Sequence, residues 1–384
     1  MHILYILFHG FDSASGISKK VIAQVNGLKE AGHNVSLCYY DVLEDGDKVR
    51  VYDKQIISNY GKGNWGALKS RFDFNPIIHH INLLNKEGHF PIDLCYIRSF
   101  HNASPATIKL VKKLKKNHIK VVMEIPTYPY DKEYMNPPLK VSLGLKIDRL
   151  FRHQLAKNLD AIVTFSDCDT IFGQKTIKIS NGISFYEIPL STHVKGQNKR
   201  INLLAVAEVH FWHGLDRAIA GLGLYYQKRV NLPDNYPDVF FNIVGPINDE
   251  TKKDFEEIIA KYNIEKYVIF HGSLHGEQLD YLFDNTDIAI ASLGRHRSNI
   301  TKIKTLKNRE YAARGIPFVY SEIDTDFENQ PYIIKAPADE SPLDIYSLLN
   351  FYNHLDLTPE QIRSTVEGLD WKIQMQRVIN SIDK

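Results

Sequence analysis

The residue types best suited to chemistry fall in a few short stretches. KTLKNREYAARGIPFVYS (304–321) carries Lys307, Asn308 and Glu310, and its pattern predicts a helix from about Leu306 to Arg314, stopped by Gly315, with Pro317 opening an apolar strand. Just before it, GRHRSNITKIK (294–304) concentrates Arg295, Arg297, Lys302 and Lys304, cations able to face an anionic ligand or to form a solvated basic loop. HFWHG (210–214) offers the imidazoles of His210 and His213 and the flat apolar face of Trp212, suited to sugar recognition or to interior packing. RSFHNASPA (98–106) and EIPTYPYDKEY (124–134) follow apolar runs and contribute His101, Asn102, Glu124 and Tyr128, as ligand contacts or as structural residues. Asp167-Cys168-Asp169 has the spacing of a divalent-metal clamp. It lies past a strand end, however, where Ser166 and Asp167 read better as caps of a short helix. With no His/Cys cluster either, no metal is expected.

The elements that must position these residues follow a β-α pattern. Ile3 to Phe8 reads as a strand, the segment with Val21, Ile22, Val25 and Leu28 as a helix, and Val35, Leu37 and Tyr39 as a second strand. Further apolar runs at 93–99, 120–126 and 161–166 are separated by stretches long enough for helices. After the aperiodic STHVKGQNKR (191–200), a new series begins at 201–209, 239–245, 267–272, 287–294 and 316–321, with an amphipathic helix over 251–264. The expected fold is α/β: two Rossmann-like, doubly wound parallel-sheet domains, 1–190 and 200–368, joined by a linker at about 191–200 and facing a central cleft. Such sheets bind ligands beyond the carboxyl ends of their strands, so the loops there are where the site is sought.

Composition sets the bounds. The 384 residues are 43% hydrophobic, 24% charged and 11% aromatic, which suits two packed domains and excludes general disorder. A net charge of +2 argues against a dedicated nucleic-acid binder. The charge is uneven: through residue 190 there are 25 Lys+Arg and 18 Asp+Glu, and the remainder has 22 and 27. Three scattered cysteines, Cys38, Cys95 and Cys168, make no disulfide framework, and a cytoplasmic location is expected. The opening MHILYILF reads as a buried strand, and no run reaches the ~18 apolar residues of a membrane span.

Residues 304–321 resemble the E-x-x-x-x-G-x-P segment of retaining nucleotide-sugar glycosyltransferases with the two-Rossmann GT-B fold, particularly the family-four branch and its K-x-x-E-Y subgroup. Lys307, Glu310 and Tyr311 match that signature, followed by Gly315 and Pro317. The resemblance implies that Glu310 holds the ribose hydroxyls of a nucleotide-sugar donor, while Lys307 and the start of its helix face the diphosphate, with Asn308 beside them. It extends to Gly16 at the first turn, to Asn181 and Gly182 in IKISNGIS, and to Gly245 and Gly272 at strand ends facing the nucleotide. A final helix over 369–384, opening near Trp371, is implied to cross back to the first domain. The implied catalytic set is His101, Glu124, Lys307 and Glu310. The implied reaction transfers a sugar with retention to a glycan or lipid-linked glycan acceptor, as in cell-envelope or capsular polysaccharide synthesis, with no cofactor or metal.

The sequence also departs from the family. Lys302 stands where an acidic residue is usual, Glu208 where an arginine is, and His213, before Gly214, where a lysine is. Diphosphate counter-charge would then fall to Lys307 and Arg297, with Arg295, Lys302 and Lys304 nearby and His213 as a donor. A sugar-nucleotide epimerase of the same fold, or a non-catalytic sugar-nucleotide binder, are the alternatives. Six lysines in IKLVKKLKKNHIK (108–120) and five basic residues among the leucines of KVSLGLKIDRLFRHQLAK (140–157) suit either outer helices or a peripheral contact with the inner face of an anionic membrane.

Overall fold

The computed structural model describes residues 1–11, 16–88, 91–131, 139–193, 195–196, 200–229 and 236–382. Val194 and 197–199 of the expected linker, 12–15 of the first loop and 132–134 of the EIPTYPYDKEY segment lie outside the described residues.

The chain divides into two units, Met1–Ser180 with Trp371–Lys384, and Asn181–Asp370. The change of unit thus falls at Ser180, before the expected linker. In the first unit the strands are β1 (His2–Ile6), β2 (Asn34–Val42), β3 (Lys48–Tyr52), β4 (Gln55–Asn59), β5 (Leu94–Arg98), β6 (Lys120–Ile125), β7 (Ala161–Thr164), β8 (Thr170–Ile171) and β9 (Gln174–Lys178). Their order is β4-β3-β2-β1-β5-β6-β7-β9-β8. The β2-β1-β5-β6-β7-β9 run is parallel, while β3, β4 and β8 add antiparallel edges. Asp167 and Cys168 therefore lead into a β8-β9 hairpin, not a helix, which corrects the capping role expected of Ser166 and Asp167.

Helices α1 (Gly16–Glu30), α2 (Gly63–Phe72), α3 (Asn75–Lys86), α4 (Pro105–Lys116) and α5 (Leu139–Ala156) complete this part of the chain. In α4, Ser104 caps the N-terminus by accepting from Thr107 N, and Pro105 occupies the first turn, where no backbone donor is needed. The buried stripe Ile108, Leu110, Val111 and Leu114 faces the sheet.

In the second unit, β10 (Arg200–Val206), β11 (Asp238–Val244), β12 (Val268–Gly272), β13 (Ile288–Ile290), β14 (Phe318–Tyr320) and β15 (Ile333–Lys335) form one parallel sheet in the order β12-β11-β10-β13-β14-β15. Around it pack α6 (Leu215–Arg229), α7 (Asp249–Tyr262), α8 (Glu277–Asp284), α9 (Leu306–Ala313), α10 (Ile345–His354) and α11 (Pro359–Ser364). The last helix, α12 (Trp371–Ile382), belongs to the first unit. Its Trp371, Met375, Val378 and Ile379 share a core with Ile3, Tyr5, Val21 and Leu28. It approaches α1 so closely that a Cβ on Gly27 would stand 2.7 Å from the Trp371 carbonyl carbon.

Candidate functional site

The strongest cluster lies in the second unit, where the loops after β10, β13 and β14 meet the start of α9. The short helical turn 211–213 after β10 and the loop after β13 are pinned together: Leu293 N donates to His213 O at 2.8 Å, and Arg297 Nη1 donates to Phe211 O at 3.0 Å. Gly214 and Gly294 make this approach possible. A Cβ on Gly214, whose φ is +61°, would stand 2.6 Å from Gly294 N. Gly245, with φ +124°, is equally constrained, since a Cβ there would overlap the Ala207 carbonyl at 1.8 Å. Gly272 and Gly16 have open space at the same position, so packing explains neither.

Helix α9 begins where the sequence predicts. Thr305 caps it, its Oγ1 accepting from Asn308 N at 3.4 Å, so one N–H expected to face an anion is already engaged. Glu310 is half-buried on this helix, and its Oε1 accepts from Arg314 Nε and Nη2, both at 3.2 Å. Arg314 also meets Asp280 at 2.8 Å. Glu310 Oε2 has no hydrogen-bond partner among the described residues.

Lys307 is half-buried, one turn before Glu310. Burial lowers its pKa to about 7, assisted by the Arg295 charge and opposed by Glu322. His213 is buried, and burial together with Lys307, Arg295 and His210 holds its pKa far below the ordinary imidazole value. The ring is therefore neutral. Its Nδ1 accepts from His210 N at 3.0 Å, which leaves the proton on Nε2 as a fixed hydrogen-bond donor. His210 stacks on Trp212 with centroids 4.3 Å apart, and its Nε2 lies 3.5 Å from the Glu208 carboxylate.

Several expected site residues are engaged elsewhere. Arg297 is bidentate to Asp216 (2.9 and 2.7 Å) and also bonds Glu340, so its charge is neutralised inside the unit and it is not a free diphosphate contact. Asn308 is fully buried and donates to Asp324 at 3.1 Å. Its neighbour Arg309, equally buried, bonds both oxygens of Asp324 and also Asp326. Asn308 therefore belongs to an internal network and does not face a ligand. Asn181 donates from Nδ2 to Lys304 O at 2.6 Å and its carbonyl accepts from Arg309 Nε, fastening the unit's first residues to the foot of α9, with Gly182 buried beside it. Lys302 is exposed and pairs through its backbone with Ile323. Lys304 bridges to Asp326 at 3.3 Å.

In the first unit, Glu124 is fully enclosed, which corrects its expected part in contacting substrate. Its Oε2 accepts from Gln24 and Tyr96, both at 2.6 Å, and its Oε1 meets Arg98 and, at 3.6 Å, Lys20. Burial alone would raise its pKa, but Lys20 and Arg98 hold it below the usual carboxylate range. No sequence pattern announces this network, whose members are contributed by α1, β5 and β6. His101, with φ +51°, stacks on Tyr130 at 3.9 Å, and burial lowers its pKa. It borders a cavity of about 370 Å³ that is also lined by Phe8, Tyr40, Arg50, Phe100 and Asn102. Sequence reasoning missed Glu322, a buried acid just after β14; an acidic residue at a strand end looks like ordinary loop.

No protein-family model and no curated protein matches the sequence. The structure, however, is similar to sucrose-phosphate synthase from Thermosynechococcus elongatus over 100% of this chain and 99% of that one, with a TM-score of 0.63 and 14% identity. A glycosyltransferase from Rickettsia africae matches with a TM-score of 0.59 and 13% identity, covering 100% and 97%. Anabaena HepE, solved in complex with UDP-glucose, matches with a TM-score of 0.58 and 13% identity, covering 99% and 100%. The likeness runs the whole length of each partner, and the chain therefore has the GT-B fold, two Rossmann-like units with parallel-stranded sheets.

Proposed function

We propose that the chain is a glycosyltransferase that moves a sugar from a nucleotide-diphosphate donor to an acceptor hydroxyl with retention, in the assembly of cell-envelope or capsular polysaccharide. The observation that carries this reading is the face of α9: Glu310 keeps one carboxylate oxygen free beside Lys307, at the loops that also present the neutral His213. A carboxylate accepts from the two hydroxyls of a ribose, and a lysine with a fixed imidazole donor stabilises the charge that grows on a departing diphosphate. In a retaining transfer the leaving diphosphate takes the acceptor proton on the same face, so the protein supplies mainly orientation and charge. The likeness to a protein solved with UDP-glucose supports this choice of donor.

For the acceptor, the aromatic cavity beside His101 suits a sugar ring. The groove between α4 and α5, lined by Lys109, Lys112, Lys113 and Lys116, suits an anionic lipid surface. Leu139, Leu143 and Leu150 are exposed on α5 close in sequence to that groove's Phe151. Among the described residues no helix is long and apolar enough to cross a membrane, so such a contact would be peripheral.

The test is a thermal-shift screen against UDP-, GDP-, ADP- and dTDP-sugars, followed by transfer assays with the donor that binds. Acceptor-dependent release of nucleoside diphosphate supports the proposal. Conversion of the donor without any acceptor marks an epimerase instead. Binding without turnover marks a non-catalytic binder, a reading favoured by the internal neutralisation of Arg297.

A further inference from the structure

Glu322 follows β14 and is 2% exposed, yet neither of its carboxylate oxygens has a hydrogen-bond partner among the described residues. A buried carboxylate left unsatisfied is costly, and a native protein that keeps one uses it for strain or catalysis or completes it with a water, an ion or a ligand. Its surroundings narrow the choice of ligand. Ser292 Oγ, likewise buried and unpartnered, stands at the adjacent strand end, where Ser321 N donates to Ser292 O at 3.0 Å. An ionised carboxylate only accepts and does not attract an anion. It does not hold a metal ion either, since no three His, Cys, Asp or Glu side chains gather among the described residues and Lys307 and Arg295 bring positive charge into the field of Glu322. It does suit a ligand that presents several O–H donors.

The backbone puts this acid beside a position already singled out in the sequence. Lys302 forms a parallel bridge to Ile323, with Ile303 N donating to Ile323 O at 3.0 Å and Ile323 N to Thr301 O at 2.7 Å. Glu322 thus directly precedes the residue that pairs with Lys302. Thr301 and Lys302, whose backbone makes that short pairing, are both exposed.

We infer that Glu322 is a specificity-determining residue that accepts hydrogen bonds from hydroxyls of the transferred sugar, with Ser292 as a further acceptor. The inference rests on the donor reading above and adds to it where the sugar is recognised, as distinct from the nucleotide.

The test compares Glu322→Gln and Glu322→Ala with the native protein by calorimetric titration, using UDP and UDP-glucose, and GDP and GDP-mannose, as paired probes. The expected result is a loss of roughly tenfold or more in affinity for the nucleotide sugar that binds, with the bare nucleoside diphosphate unchanged within about twofold. The ligand-free melting temperature of Glu322→Gln should be equal to or above that of the native protein, because an unpaired buried charge is removed. Equal loss for sugar-bearing and bare nucleotides, no loss for either, or a marked fall in melting temperature would each overturn the inference while leaving the donor reading intact. Failure of the native protein to bind these four probes and the ADP and dTDP pairs as well would instead remove the donor reading, and this inference with it.

Discussion

Glu310 and Arg314 stand one turn apart on α9, the Glu310 Oε1 lying 3.2 Å from both Nε and Nη2 of the arginine, which is itself held by Asp280. The pairing fixes the carboxylate's direction while engaging just one of its oxygens. Replacing Glu310 by alanine should weaken nucleoside-diphosphate binding by about 1.5–3 kcal/mol, the worth of hydrogen bonds to a charged acceptor. Because Glu310 is partly exposed and the buried Arg314 keeps Asp280 as a partner, stability should change by less than about 1 kcal/mol. Titration calorimetry and a denaturant melt, run on the same preparation, check both numbers; unchanged affinity would remove Glu310 from the site.

Lys307 and Glu322 should give stability an unusual pH profile. Burial lowers Lys307 to about 7, so from there up to the ordinary lysine range the unfolded chain binds a proton that the folded chain does not, and stability rises with pH. Burial raises Glu322 to about 7, so between the ordinary carboxylate range and that value the folded chain binds the extra proton, and stability falls as pH increases. The difference in melting temperature between the native protein and a Lys307→Met/Glu322→Gln variant should therefore be most unfavourable to the native protein near pH 7. At pH 8, binding of a nucleoside diphosphate should also draw a proton onto Lys307, seen as buffer-dependent calorimetric heats that vanish in Lys307→Met.

Glu124 should behave as a structural residue. Glu124→Gln leaves Lys20 and Arg98 in the interior without their counter-charge and should cost about 3–5 kcal/mol, measured by chemical denaturation. Since its carboxyl is held below the usual range, the stability it contributes is present at neutral pH and is lost as the solution is acidified through about pH 4 and below. A variant with native stability would contradict the enclosed network.

Lys109, Lys112 and Lys116 line the α4/α5 groove. Changing all three to glutamate should abolish co-sedimentation with phosphatidylglycerol vesicles at 0.1 M salt, while binding of nucleoside diphosphates stays the same. Native protein that ignores such vesicles would remove the membrane contact from the proposal.

Much of the fold was legible because its signals are local. The apolar runs that became β5, β6, β10, β11 and β14, and the 3.6-residue rhythm of α7, depend on neighbours in sequence. The β3 and β4 edge was not read, since short, partly exposed strands such as Gln55–Asn59 alternate weakly. The site was legible by type but less so by role. Arg297, Asn308 and Glu124 carry the right chemistry, yet partners far away in sequence, Glu340, Asp324 and Lys20, claim them. Such pairings form through the topology and leave no trace in spacing.

The approach of α12 to Gly27 bears on how the chain is made. The first unit lacks Trp371, Met375 and Val378 until nearly all of the second has left the ribosome, so its apolar face beside Ile3 and Val21 waits uncovered during synthesis. Nascent chains halted ahead of residue 371 should be captured by chaperones and readily cleaved by proteases, and emergence of Trp371–Ile382 should be the event that ends that exposure.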